Sequence, residues 1–318
     1  MRVFITGASG FLGARVLKQV LQKSWHATIL LRDANKASAY ENDNIRVVLG
    51  DLENLNSWKS TLESIDVVIH CAAPLIFWGP WRLYEQGIVQ ATQGLFQAAE
   101  QATVKRFVFI SSESVLQDRK PLLDIDESEP YPKQPNSYYG LAKKQAEQLL
   151  LKQDSATQVI ILRPTFIWGV GVAALETMKA KIASKQFMWV DHGRSMFEMV
   201  HVDNVAHACV LACESGQDKG VYFITDDAPQ TVQTFLSKLF QAKQISNPNK
   251  NIPRILALLS AIGCETLWRL FGLKSTPPIT RFDVAFVAMP RRYKIDRAKR
   301  ELAYRPVIDQ ETGLKQLT

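Results

Sequence analysis

A doubly wound α/β fold around a parallel sheet is what this 318-residue chain predicts, and three observations carry the expectation. Short continuous apolar runs, Val3-Phe4-Ile5, Val67-Val68-Ile69, Phe107-Val108-Phe109-Ile110 and Val159-Ile160-Ile161-Leu162, are the mark of strands buried on both faces. Amphipathic stretches separate them, and that alternation argues for βαβ units whose helices cover both sides of the sheet. A glycine-rich turn, Gly7-Ala8-Ser9-Gly10-Phe11-Leu12-Gly13, directly follows the first run. The length allows a large core with a smaller appendage. Residues 1–165 are expected to form the core, completed by about 200–225, with 166–199 and 226–318 mainly in a smaller C-terminal substrate lobe.

Residues 3–5 make the first strand, Thr6 to Gly10 the turn and Phe11 to Leu21 the first helix. Glycines at three-residue spacing let the backbone turn tightly, approach a pyrophosphate and pack helix on strand, while the helix N-terminus supplies amide donors. Strand before and helix after make this a Rossmann-type dinucleotide site, held through Thr6, Gly7, Ser9, Gly10, Phe11, Leu12 and Gly13. The second strand, Ala27 to Leu31, ends not in the carboxylate that would accept from a ribose 2′-hydroxyl but in Leu31-Arg32. A guanidinium suits a 2′-phosphate, and Lys36 is near enough in sequence to help, so NADPH is expected over NADH.

The strand Ile45 to Leu49 leads into Gly50-Asp51-Leu52. Asp51 is placed either to accept from the adenine amine or to cap a helix beginning near Asn54. Asp66 to Cys71 forms a fourth strand, after which the small residues Ala72 and Ala73 leave room for a ribose and pyrophosphate. The loop Leu75 to Trp81, with Phe77, Trp78 and Trp81, lies at a strand's carboxyl edge and is either the wall of an apolar substrate pocket or plain packing under the loop. A helix over 83–102, a strand over 107–110 and the run Ser111-Ser112-Glu113-Ser114 follow. Residues 117–137, rich in charge and proline, are expected to be a surface loop.

The next helix, capped by Asn136-Ser137, carries Tyr139-Gly140-Leu141-Ala142-Lys143. A tyrosine and a lysine four apart share one helical face, so an ammonium beneath the phenol would lower its pKa, as suits a proton donor. The register selects Tyr139, because Tyr138 stands four before Ala142.

With Thr6-Gly7-x-x-Gly10-x-x-Gly13, Gly50-Asp51-Leu52, Ser112, Tyr139-x-x-x-Lys143 and Leu162-Arg163-Pro164 in order, the sequence resembles the extended short-chain dehydrogenase/reductases, a group of NAD-dependent epimerase/dehydratase-like enzymes. Val200-His201-Val202-Asp203-Asn204 and the late Tyr293-Lys294-Ile295-Asp296 and Leu302-Ala303-Tyr304-Arg305-Pro306 look like later landmarks, so the resemblance covers essentially the whole chain. The Phe77-Trp78-Gly79-Pro80 loop and Ser112-Glu113-Ser114-Val115 look most like the 3β-hydroxysteroid dehydrogenase and sterol or 3-ketoacyl reductase branch.

The resemblance implies that Tyr139 donates or removes a proton at a carbonyl or alcohol oxygen, that Lys143 holds the nicotinamide ribose hydroxyls and stabilises the phenolate, and that Ser112 orients the same substrate oxygen. It implies too that the backbone after Pro164, from Thr165 to Ile167, contacts the nicotinamide carboxamide. The expected reaction interconverts a ketone and a secondary alcohol on an apolar, sterol-like or long-chain β-keto substrate. The alternative is a nucleotide-sugar epimerase or dehydratase, with Arg194, Arg291 and Arg292 on a diphosphate, though Ser114 stands where dehydratases usually carry glutamate. A third reading is a dinucleotide-binding scaffold without turnover. One departure is Ile88, where relatives often have an asparagine that supports the proton relay, so water or another group must serve.

The remaining chain bounds partners and location. Residues 253–273 are mostly apolar, but Arg254, Glu265 and Arg269 interrupt them and Gly263 divides them, which argues for two short helices that roof the pocket or rest on a membrane surface. The net charge of +7 comes from the last quarter, where residues 241–318 hold 14 basic and 6 acidic side chains, and marks an anionic ligand, an anionic lipid surface or a solvated basic face. No nucleic-acid module is recognisable. Cys71, Cys209, Cys213 and Cys264 lack metal-ligand spacing, so neither zinc nor a disulfide is expected. His201 is expected to be structural. The start enters a strand directly, which suggests a cytoplasmic protein, and the family is often dimeric.

Overall fold

The computed structural model describes residues 1–40, 42–273 and 275–317. Seven parallel strands form the central sheet: β1 (Arg2–Thr6), β2 (His26–Leu31), β3 (Ile45–Leu49), β4 (Val67–His70), β5 (Arg106–Ile110), β6 (Gln158–Pro164) and β7 (Gly220–Ile224). Their spatial order is β3-β2-β1-β4-β5-β6-β7, so the winding of the sheet reverses between β1 and β4 and opens a crevice there. Except in the edge strand β3, each strand core is buried on both faces, which is why the sequence reads there as continuous apolar runs rather than as alternation.

Helices cover both sides. On one face α1 (Phe11–Gln22) packs on a helix at Val202–Glu214 around Val16, Leu17, Val20, Val205 and Cys209. On the other, α2 (Ala91–Gln101) and α3 (Tyr138–Leu151) enclose Leu95, Phe96, Ala142 and Ala146. A further apolar core, built on Trp168, Phe197, Phe235 and Phe240, belongs to chain beyond β6. Next to it α4 (Arg254–Leu270) and α5 (Arg281–Ala288) pack through Ala257, Ala261, Val284 and Ala288.

Four local expectations are corrected. Residues 253–273 do not divide at Gly263: α4 runs unbroken through it, because a Cβ there would meet nothing within 4 Å and one exposed mid-helix glycine costs only about 1 kcal/mol. Residues 117–137 are not all loop, since Leu122–Ile125 pairs in parallel with Arg291–Tyr293 and ties the late chain to the core. No α-helix begins near Asn54; 3-10 turns occupy Leu55–Ser57 and Lys59–Ser64. The helix over 83–102 contains a π-helical segment, Glu85–Gln90, between Trp81–Tyr84 and α2.

Candidate active site

The glycine turn sits in the crevice where the sheet reverses. Gly7 has φ +72°, and a Cβ on it would stand 2.9 Å from the amide nitrogen of Ala72, so the turn and the Cys71-Ala72 backbone touch directly. At Gly13 a Cβ would lie 2.1 Å from the Gly7 carbonyl oxygen, which fixes glycine where α1 crosses the turn. Gly10 caps α1 without a side-chain hydrogen bond, leaving the helix's first amides free for an anion. Ser9 and Gly10 are exposed, while Phe11 and Leu12 are half-buried. These features fit a dinucleotide pyrophosphate.

A buried polar chain braces this turn from below. Thr6 Oγ1 lies 2.7 Å from His70 Nδ1 and accepts from the Ala72 amide at 3.2 Å, and His70 Nε2 lies 3.1 Å from Thr92 Oγ1. Burial, and then the Lys143 charge, pull His70 down to about 3, so the ring is neutral. Sequence reasoning found no role for His70; only its place at the end of an apolar strand hinted at one.

Past the carboxyl ends of β2 and β3, Arg32 and Asp51 meet, Nη1 to Oδ2 at 4.0 Å, with the guanidinium side chain 82% exposed. Asp51 Oδ1 also accepts from the Glu53 amide at 2.9 Å, a tight local turn that takes the place of the expected helix cap. Leu52 is half-buried on the neighbouring core, and Lys36 is exposed in a 3-10 segment, Ala34–Tyr40.

α3 starts at Ser137, whose Oγ accepts from the Gly140 amide at 3.0 Å. It turns Tyr139, Gly140, Ala142, Lys143, Ala146 and Glu147 inward. Gly140 lets the turn Glu113–Val115 approach, since a Cβ would lie 2.4 Å from the Ser114 carbonyl oxygen. Ser112 therefore sits one turn from α3, half-buried, its Oγ accepting from the Ser114 amide at 3.2 Å. That acceptor role leaves the hydroxyl hydrogen available to another oxygen.

The expected electrostatics of the tyrosine and lysine are overturned by desolvation. Burial pushes the Tyr139 phenol up, and burial brings Lys143 down to about 8 against the opposing pull of Cys71 and Glu147. Lys143 Nζ donates to the Ile110 carbonyl at 2.6 Å and lies 4.5 Å from the Phe109 ring centre but 6.0 Å from that of Tyr139. The ammonium is thus engaged by backbone and by an aromatic face before it reaches the phenol.

Of the three aromatic loop residues only Phe77 meets Tyr139, edge-on at 5.7 Å. Trp78 lies under the Arg269 guanidinium at 5.5 Å, and Trp81 packs on Tyr138. Residues 253–273, expected to roof the pocket, reach this loop through Arg269 on Trp78, while Phe77 is covered by α5, which sequence reasoning missed. Phe282 stacks on Phe77 at 4.8 Å and 10°, and Phe286 continues to Phe166, one residue past Thr165. The i,i+4 spacing of Phe282 and Phe286 was the one available signal. Near them the Thr165 hydroxyl is buried with no partner among the described residues, which suits a polar group such as a carboxamide, and Ile167 is half-buried beside the core.

The other candidates separate from this cleft. Arg292 is ion-paired to Asp124, and Arg291, 1% exposed, faces Glu113 at 3.4 Å, so two of the arginines expected on a diphosphate face carboxylates instead. His201 caps the helix Val202–Glu214 and packs edge-on to Trp168 at 4.9 Å. Ile88 is buried in the core cluster that also holds Tyr139. All four cysteines are free thiols.

Residues 4–254 match the 3-beta hydroxysteroid dehydrogenase/isomerase family. Over 319 residues the chain is 34% identical to 4-hydroxy-2-methyl-3-oxo-4-farnesyl-3,4-dihydroquinoline-1-oxide ketoreductase of Stigmatella aurantiaca, covering 100% of this chain and 96% of that one. It is 26% identical to the decarboxylating sterol-4-alpha-carboxylate 3-dehydrogenase of Dictyostelium discoideum, over 99% of each chain. The fold matches UDP-glucuronic acid 4-epimerase of Bacillus cereus, solved in complex with NAD, with a TM-score of 0.76 at 19% identity over 99% of this chain and 97% of that one. This chain belongs to the 3-beta hydroxysteroid dehydrogenase/isomerase family and is an NAD(P)-dependent oxidoreductase of the short-chain dehydrogenase/reductase type.

Proposed function

We propose that the protein reduces a ketone to a secondary alcohol, or runs the reverse, on an apolar substrate lying against Phe77, Phe282 and Phe286, with NADPH as the favoured cofactor. The observation that carries this reading is a phenol, Tyr139, only 9% exposed and edge-on to an aromatic stack. A bound nicotinamide supplies or receives the hydride. Tyr139 holds the proton that the substrate oxygen takes up, and its burial keeps that proton in place until the oxygen becomes basic. Ser112, fixed by the Ser114 amide, donates to the same oxygen. Lys143 keeps two ammonium hydrogens beyond its bond to Ile110, enough to hold ribose hydroxyls. Thr6, Gly7, Ser9, Gly10 and Gly13 cradle the pyrophosphate, Asp51 and Arg32 the adenosine, and Thr165 the carboxamide.

The relatives support the apolar substrate, since one is named for a farnesylated ketone and another for a sterol. A nucleotide-sugar substrate is less well supported, because Arg291 and Arg292 are already committed to carboxylates. The test is to follow NADPH absorbance with a panel of ketosteroids, β-keto acids and UDP-sugars, using wild type and Tyr139→Phe. Turnover of an apolar ketone is expected to fall at least about a hundredfold in the variant while dinucleotide binding is kept. Turnover within a few-fold of wild type, or sugar epimerisation with no net absorbance change, would refute the proposal.

A further inference from the structure

Glu265, the one acidic residue of α4, is turned inward and only 6% exposed, and two guanidinium groups converge on it. Arg281 holds it three ways: its backbone amide donates to Oε1 at 2.7 Å, Nε donates to Oε2 at 2.7 Å, and Nη2 stands 2.7 Å from the same oxygen. Arg269, one turn along α4, brings Nη2 to 3.9 Å from Oε2. A carboxylate that accepts from the amide and the guanidinium fork of one arginine fixes that residue's backbone as well as its side chain.

The two arginines lead to opposite sides of the aromatic stack. Arg281 is the first residue of α5, so the bond to its amide satisfies a helix end that has no partner within the helix. Beside it Asp283 Oδ2 accepts from the Thr280 amide at 2.9 Å in a capping box, and the two contacts together set how α5 is turned. The next residue is Phe282, stacked on Phe77 at 4.8 Å. On the other side the Arg269 guanidinium lies 5.5 Å from the ring centre of Trp78, the neighbour of Phe77. Phe77 in turn meets Tyr139 edge-on. Both halves of the ring pair beside the phenol are therefore tied, each through one arginine, to a single carboxylate on α4.

Exposure shows why the tie matters. Phe77 is 41% exposed, and Leu75 and Ile76 before it are exposed as well, so this loop has little burial of its own to keep it in place. An apolar substrate gains most from a wall that is already ordered, because ordering a loose wall at the moment of binding costs affinity.

We infer that Glu265 is a positioning residue for substrate binding: it holds Phe282 through Arg281 and the Phe77 loop through Arg269, and so preorganises the apolar wall next to Tyr139. The effect on substrate rests on the proposed function; the clamp itself does not. The experiment compares wild type with Glu265→Gln, which keeps the shape and removes the charge, and with Arg269→Met, which changes a side chain 60% exposed and frees the loop alone. KM for an apolar ketone is expected to rise about tenfold in Glu265→Gln and about threefold in Arg269→Met, with kcat within about twofold and the KM for NADPH unchanged. A change that only weakens the fold lowers the active fraction instead, which cuts kcat and leaves KM alone. The second readout needs no turnover: chymotrypsin cleavage of the folded chain after Phe77 or Trp78, followed by mass spectrometry, should be at least about threefold faster in both variants. Should Glu265→Gln fail to fold, Arg269→Met decides the question by itself. Loop cleavage at the wild-type rate in the folded variants, or a fall in kcat with KM unchanged, would overturn the inference. Faster cleavage in a protein that turns over no ketone would support the clamp and refute only the proposed function.

Discussion

Lowering the pH should destabilise the protein through His70, by an amount that the structure sets. The ring is 1% exposed between Thr6 and Thr92, and its folded value is about 3 against an ordinary 6.5. A histidine held neutral in the fold is protonated more readily when unfolded. Its contribution is therefore complete above pH 6.5 and is lost as pH falls from there toward 3. The loss is about 1.4 kcal/mol per pH unit, or about 2.7 kcal/mol over two units. Other buried groups act in the opposite sense: burial raises Glu198 to about 7 and Asp226 to about 6, so acid stabilises the fold through them. A wild-type curve alone would blur these. The difference between wild type and His70→Gln removes the shared carboxylates, because both proteins carry them. Urea unfolding at steps down from pH 6.5 should show wild type losing stability relative to the variant with the slope above. A flat difference would mean that the imidazole titrates normally in the fold, and the account of the brace beneath the glycine turn would fail.

Three further outcomes are expected. Glu147→Ala strips the Arg163 guanidinium, 2% exposed, of its carboxylate partner at 2.6 Å and should lower stability by about 3–5 kcal/mol in denaturant titrations; a loss below about 1 kcal/mol would show that the pair is not desolvated. Ketone reduction should decline as pH rises through about 8, where Lys143 loses its charge, and a rate profile without a limb near that value would remove the ammonium from the reaction. Arg32→Ala should move the NADPH to NADH preference toward NADH by about tenfold, measured as the ratio of kcat/KM values; an unchanged ratio would clear Arg32 of contact with the 2′-phosphate.

The cofactor half of the molecule was legible because backbone geometry dictates it. Gly7 and Gly13 are forced by close approach, and the middle residues of β1, β4, β5 and β6 are apolar because both their faces are covered. The substrate half was not legible, for a matching reason. Phe282 and Phe286 mark a helix face, yet nothing local says that this face lies over Phe77, a loop far upstream. The strand Leu122–Ile125 was hidden by its shortness and by the exposure of Leu123 and Asp124. Gly263 looked like a helix break only because the sequence does not reveal that its surroundings are open. The phenol and ammonium were found at the right spacing but with the wrong balance, since burial is a property of the assembled core and outweighs one nearby charge.

The spacing argument that singled out Tyr139 and Lys143 extends one turn further than it was first taken. Glu147 stands four beyond Lys143 on the same buried stripe, 0% exposed, so phenol, ammonium and carboxylate follow one another along α3. The carboxylate opposes the desolvation of Lys143, yet its own hydrogen bonds are spent elsewhere. Arg163 Nε donates to Oε1 at 3.0 Å, while Arg163 Nη2 and Tyr131 OH both donate to Oε2 at 2.6 Å. Arg163 is the residue before Pro164, where β6 ends and the segment carrying Thr165 and Phe166 begins. Glu147 therefore fastens the helix that presents the phenol to the strand that leads into Thr165 and Phe166. The Leu-Arg-Pro motif and the tyrosine–lysine pair, which look like separate landmarks in the sequence, are two ends of one buried ion pair. A shift of either end would move Tyr139 relative to Thr165, so in the proposed reaction the alignment of phenol and nicotinamide would depend on a residue that acts only through its neighbours.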